Sequence, residues 1–289
     1  MFFCIVGSSI TASSARDTFF LTQFDKSLLP LMFAAVAGIM VISIMIYNRL
    51  TSQLDLIKVI ILSSIFFCLT LFLIRLNLNG IVIPIFYAGT DVIISITIFQ
   101  FWLLANEIFN ARQAKRLFSF IGIGGSIAGI SAGYLIKPFV KIYGADGLLI
   151  PTILLIAMIA VLSNFLSPYR SKKSAKKIKN TTKKHNTVLD PYLKSILIMI
   201  CSAAICSRII EYQFKITAVN SYESSADLAA FFGEYYMFLN ATTLVMQLFL
   251  TGFILSRFGI LGGLIFLPIG LAVGSLSFLL LANLSSIFF

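Results

Sequence analysis

Nine stretches of the chain stay apolar for roughly the 20 residues that a helix needs to cross a bilayer. They cover about residues 1–23, 28–48, 57–76, 81–107, 116–139, 147–167, 192–216, 229–255 and 259–283. Short polar turns separate most of them, which predicts antiparallel neighbouring helices. The fourth and eighth are long enough to tilt or to emerge into water. The first has no basic segment ahead of it and no small-residue cleavage site behind it, so it is expected to be a span and not a removable leader.

Composition agrees with this pattern. Hydrophobic residues make up 59% of the 289 positions and charged residues 11%, whereas a soluble domain carries about a quarter charged. The fold class is therefore all-α, a polytopic membrane helical bundle. The net charge of +11 is not spread along the chain: "YRSKKSAKKIKNTTKKHNTVLD", 169–190, holds eight of the 22 Lys and Arg. A basic segment beside apolar helices sets topology and touches anionic headgroups, so the expected partner is a lipid bilayer and not nucleic acid. Cys4, Cys68, Cys201 and Cys206 all lie in apolar runs, and His185 sits in the basic segment. Their spacing fits no metal site, and no nucleophile–base set is present. Neither a metal, a cofactor nor an enzymatic activity is expected.

Counted from an inside N-terminus, the inner turns hold fifteen Lys and Arg and the outer turns four, Lys26, Arg75, Lys137 and Lys141. The positive-inside rule then places the N-terminus in the cytoplasm. The basic segment also divides the chain into a six-helix half at 1–168, a cytoplasmic linker at 169–191 and a partial second half at 192–289. Six helices, a linker and further helices is the layout of a transporter built from parallel repeats. A weak internal repeat supports it. Arg49 and Arg257 each mark a turn between the second and third helices of their half, and "SSARDTFF" matches "CSRIIEYQF" in setting a cation and an anion in an apolar helix.

A charge at bilayer depth costs at least about 2.5 kcal/mol, so it faces a protein interior or a watery cavity. Arg16, Asp17, Asp91, Arg208, Glu211, Lys215 and Glu234 are such residues. Arg208, Glu211 and Lys215 are spaced i, i+3 and i+7 and share one helix face. The first span adds Ser8, Ser9, Thr11, Ser13, Ser14, Thr18 and Gln23, a polarity that belongs inside a bundle. Tyr87, Asp91, Ser95 and Trp102 form a candidate stripe on the fourth span, and Tyr236, Asn240, Thr243 and Gln247 another on the eighth. Together these stripes predict a substrate or ion path bordered by the first, fourth, seventh and eighth helices. The competing expectation is that they are interhelical glue. Cations and anions in the charged set number three and four, a near balance in which carboxylates are candidate proton carriers. Gly125, Gly129 and Gly133, four apart, predict a close helix contact.

Three blocks carry a resemblance: "ARDTFFLTQFDKSLLP", "FQFWLLANEIFNARQAKRLFSFIGIGGSIAG" and "EYQFKITAVNSYESSADLAAFFGEYYMFLNATTLVMQLFLTGFILSRFG". Together they resemble the bacterial ATP/ADP antiporter-like (nucleotide transporter) branch of the major facilitator superfamily. "GFILSRFG" also resembles that superfamily's cytoplasmic loop motif, with Ser256 where Asp is usual. The resemblance implies two six-helix halves, alternating access, gating turns at Arg49 and Arg257, and exchange of ATP for ADP across a bacterial cytoplasmic membrane. It also implies that this chain is about three helices short. The expected solute is small and polar or anionic, with ATP and ADP as the pair the resemblance names. A different class of function, a non-transporting sensor or scaffold or an inactive remnant, stands as the alternative.

Overall fold

The computed structural model describes residues 1–78, 80–169, 191–222, 224–250, 257 and 269–270. Nearly all of the basic linker and of the expected ninth helix lies outside the described residues. Eight long helices follow one another: α1 (Phe2–Gln23), α2 (Leu29–Gln53), α3 (Leu56–Leu76), α4 (Val82–Ile108), α5 (Ala111–Tyr143), α6 (Leu149–Leu166), α7 (Pro191–Ser221) and α8 (Ser225–Val245). Each matches one of the first eight predicted spans, with ends displaced by up to five residues in α1–α7, while α8 ends at Val245 and a π-helical turn, Met246–Leu250, follows it. Helix α5 starts five residues earlier than predicted because Asn110 and Gln113 form a reciprocal cap, satisfying backbone groups that the first turn leaves open.

Among the described residues six segments are long and apolar enough to cross a membrane: Lys26–Thr51, Leu56–Leu76, Val82–Ile108, Leu117–Tyr143, Asp146–Leu166 and Leu193–Ser221. Helices α1 and α8 fall short of that measure because they carry more polar residues. Burial explains how α1 tolerates them. Ser8, Thr11, Ser13, Ser14, Arg16, Asp17 and Thr18 are all buried, and α1 packs against α4, α5, α6 and α8. The expectation that this helix occupies the bundle interior is met. Its hydroxyls return hydrogen bonds to the helix itself, as Ser8 does to the Ile5 carbonyl at 2.9 Å, and Thr11 meets Thr152 of α6 at 2.8 Å.

The short connections within α1–α6 make successive helices antiparallel, so α1, α3 and α5 finish at one end of the bundle, here termed upper, and the contact of Asn220 with Lys26 shows that α7 finishes there too. Helices α2, α4, α6 and α8 begin there. At this end Phe20, Leu29, Ile83, Tyr87, Phe214, Ala218, Leu228, Phe231 and Phe232 are buried together. Lys26, in the turn after α1, donates to the Asn220 side-chain oxygen near the end of α7. Toward the lower end α7 loses this cover: residues 197–210 are almost all exposed among the described residues.

The glycine stripe makes the seam between α5 and its neighbours. A Cβ on Gly125 would come within 2.5 Å of the Phe2 ring of α1, and one on Gly133 within 2.5 Å of the Gly233 carbonyl oxygen of α8. The Gly129 position is closed by Asn240. Small residues here let two backbones touch, as the spacing predicts.

Candidate functional site

Six of the seven charged residues singled out from the sequence fall into one continuous chain of ion pairs. At its lower end Arg208 donates from Nη1 to Glu211 Oε2 at 2.7 Å. The other Glu211 oxygen accepts from Lys215 Nζ at 2.7 Å. Lys215 then reaches across to α1, donating to Asp17 Oδ1 at 3.0 Å. That same oxygen accepts from Arg16 Nε at 3.0 Å, and Arg16 Nη1 donates to Asp91 Oδ1 on α4. The order is cation, anion, cation, anion, cation, anion. Three helices are tied together, and the charges sum to zero.

Local structure places these groups. Glu211 and Lys215 are one turn apart, so Glu211 bonds both the residue a turn behind it and the residue a turn ahead. Arg16 and Asp17 are sequence neighbours, which point to different sides of α1. That lets Asp17 face α7 while Arg16 spans to α4. Aromatic rings close the chain from the sides. Tyr87 accepts from Lys215 at 3.1 Å through its hydroxyl oxygen, and the Arg16 guanidinium lies 4.6 Å from the Tyr87 ring centre. Phe33 of α2 lies under both Arg208, at 5.4 Å, and Lys215, at 5.5 Å. Cations over ring faces gain from the ring quadrupole, the more so when desolvated. Tyr236 of α8 is within electrostatic reach of Arg16 and Asp17.

Exposure along the chain is graded. On α7 the side chains pass from 2% exposed at Lys215 to 29% at Glu211 and 53% at Arg208, over about 10 Å of helix. Asp17 is fully buried and Asp91 is 19% exposed. The arrangement is thus sealed above by the aromatic cluster and approachable from below. Chemically it holds three cations in a row, each already occupied by a carboxylate. One oxygen of Asp17 and one of Asp91 are buried with no hydrogen-bond donor among the described residues.

Glu234 is not brought to this chain. It accepts from Lys137 of α5 at 2.6 Å, a pair that is open to the surroundings. The sequence count of three cations against four anions becomes three against three once Glu234 is assigned to Lys137. Substituting Glu234→Gln should leave the melting temperature of the detergent-solubilised protein unchanged within error, since open ion pairs contribute little. Arg49 is exposed near the lower end of α2, and Arg257 is exposed with its neighbours outside the described residues.

Two polar stripes are redrawn. On α4, Tyr87 and Asp91 join the chain, but Ser95 is exposed and Trp102 packs against Phe2, Phe101 and Phe118 in a separate aromatic group. The buried polar positions lower on α4 are Thr90, Thr97 and Gln100, and Gln100 donates to Ser63 of α3 at 2.7 Å. Asn240 on α8 and Gln247 just beyond its end face the α5 glycines Gly129 and Gly122, with Ser126 donating to Gln247 at 3.4 Å. That stripe is largely glue. Sequence reasoning missed Phe33, whose role shows only through its position beneath two cations, and Lys137, whose signal was its register within a turn or two of the helix end.

The helical architecture and the buried charges define a multi-pass membrane protein with an ionic interior. The chain matches the model of the TLC ATP/ADP transporter family over residues 81–161 and 153–288. It belongs to that family. Among curated proteins it is 25% identical over 197 residues to "ADP,ATP carrier protein 1" of Chlamydia pneumoniae, covering 59% of this chain and 38% of the relative. It is 22% identical over 178 residues to "ADP,ATP carrier protein 1, chloroplastic" of Arabidopsis thaliana, covering 55% and 28%. The chain therefore spans well under two thirds of the length of these relatives. No solved structure matches it.

Proposed function

We propose that this chain acts in exchange of ATP and ADP across a bacterial cytoplasmic membrane, by alternating access in a bundle of the major facilitator type. In this reading its N-terminus is cytoplasmic, the 1–168 and 192–289 segments are the two halves, and the 169–191 linker lies on anionic headgroups. Family membership supports a nucleotide as the solute. The observation that carries the reading is the alternating chain from Arg208 to Asp91, which joins the two halves through the buried Lys215–Asp17 ion pair.

The chain also answers an electrostatic difficulty. A neutral site does not attract a polyanion, but its cations are held by carboxylates that a phosphate oxygen can replace. Phosphates entering from below meet Arg208 first, then Lys215 and then Arg16, and take over from Glu211 and Asp17 in turn. Charge-assisted pairs to Arg are bidentate and strong with phosphate as with carboxylate, so a phosphate oxygen is a chemical match for the carboxylate it displaces. Replacing Asp17 on Lys215 removes the buried ion pair between α7 and α1, and substrate binding is thereby linked to the contact between the two halves.

Uptake of labelled ATP into proteoliposomes preloaded with ADP tests this. Arg16→Ala and Glu211→Gln should each lower the exchange rate at least about tenfold, the scale of one lost charge-assisted contact. Exchange that proceeds unchanged in both variants rules out the path, and transport of neither nucleotide by the native chain rules out the solute.

A further inference from the structure

We propose that Phe33 of α2 is a positioning residue for the phosphate groups of the solute, holding Arg208 and Lys215 in place while the anions on them are exchanged. The inference rests on the nucleotide reading above and adds an uncharged residue to its site.

A second alternation runs beside the ionic one and contains no anion. Arg208 Cζ lies 5.4 Å from the Phe33 ring centre, and Lys215 Nζ lies 5.5 Å from the same centre. Lys215 Nζ is also 5.4 Å from the Tyr87 ring centre, and Arg16 Cζ is 4.6 Å from it. The order is Arg208, Phe33, Lys215, Tyr87, Arg16. Each ring is thus shared by neighbouring cations, and the rings come from α2 and α4. Tyr87 is held in the upper aromatic cluster, 4.8 Å from the Phe20 ring, and Phe33 packs against the same cluster.

Anions and rings engage a cation in different ways. Carboxylate and phosphate oxygens take the N–H groups, which lie in the plane of a guanidinium, whereas an aromatic ring meets its face. Arg16 shows both at once, with N–H groups on Asp17 and Asp91 and Cζ over Tyr87. An incoming phosphate therefore competes with the carboxylates and leaves the rings where they are. In the ligand-free chain Glu211 fixes both Arg208 and Lys215. Once a phosphate replaces Glu211, the anion on these cations belongs to a solute that is not attached to the protein. The Phe33 ring is then the fixed group that still orders them. Cations freed from their carboxylates also repel one another, and the ring opposes their dispersal. Weakening the ring's attraction for cations thus harms the liganded state more than the free one.

Fluorine atoms drain the negative face of a phenyl ring, on which its attraction for cations depends, and change its shape little. Mono-, di- and trifluorinated phenylalanine at position 33 therefore separate electrostatics from packing. Calorimetry of the full chain in nanodiscs, titrated with inorganic pyrophosphate or with ADP, gives the affinity of each form. We expect it to fall stepwise with fluorine content, by about tenfold in the trifluorinated form, the scale of a desolvated cation–ring contact. The melting temperature of the ligand-free chain should stay level across the series, because the carboxylates still hold both cations. Phe33→Leu should bind as weakly as the trifluorinated form, and Phe33→Tyr should bind like the native chain. Affinity that ignores fluorine content, or that falls only together with the ligand-free melting temperature, overturns the role of Phe33 while leaving the nucleotide reading in place. Absence of binding of either ligand to the native chain overturns both.

Discussion

Lys215→Met is expected to cost about 3–5 kcal/mol, the range for removing one partner of a buried ion pair, and to abolish exchange. Methionine fills nearly the same length but leaves the fully buried Asp17 with one cation where it had two, and it removes the donor to Tyr87. A large fall in the melting temperature in detergent, together with loss of labelled ATP uptake, is the predicted result. The test becomes sharper in the double variant Lys215→Met/Asp17→Asn. Removing both charges relieves the uncompensated carboxylate, so stability should return toward the native value while transport stays absent. A single variant that melts like the native chain means that the contact between α1 and α7 contributes nothing to the fold.

Gly133→Leu is expected to part α5 from α8. Any Cβ at this position would stand 2.5 Å from the Gly233 carbonyl oxygen and 2.8 Å from the Met237 nitrogen. Those obstacles are backbone, so no side-chain rotation relieves them and the helices themselves must move. Overpacking of this kind costs typically about 1–3 kcal/mol and sometimes more. Because Lys137 and Glu234 sit on the same seam, their pairing should be lost with it. The control is Gly38→Leu on α2, where a Cβ meets nothing within 4 Å. Equal melting temperatures for the two variants would mean that the seam is loose.

Much of the ionic chain was legible because its members are expensive. An Arg–Asp pair in an otherwise apolar helix, and three charges on one face of another, have few places to go in a bilayer. Seven residues were picked out on that ground, and six of them meet. Glu234 was grouped with the others by its cost in a bilayer alone, and helical spacing gives the side of a helix and not its neighbour. It lies near the upper end of α8, where Lys137 of α5 happens to be in reach. The α4 stripe failed for a related reason. Tyr87 and Ser95 lie on similar faces of α4, but the helix covering that face changes along its length, so one is buried against Lys215 and the other is exposed. Phe33 carries no sequence signal, being one of 28 phenylalanines.

The hydrophobic pattern by itself determined the number and order of the described helices, the class of protein and the short list of costly charges, because bilayer thickness and desolvation act on each segment alone. Which charge meets which, how three helices come to share one alternating chain, and why that chain is sealed above and approachable below were decided only by the tertiary structure. These depend on the depth and rotation of one helix against another. Packing of whole surfaces sets those quantities, from the Gly133–Gly233 contact to the aromatic cluster around Phe214, and no local periodicity encodes them.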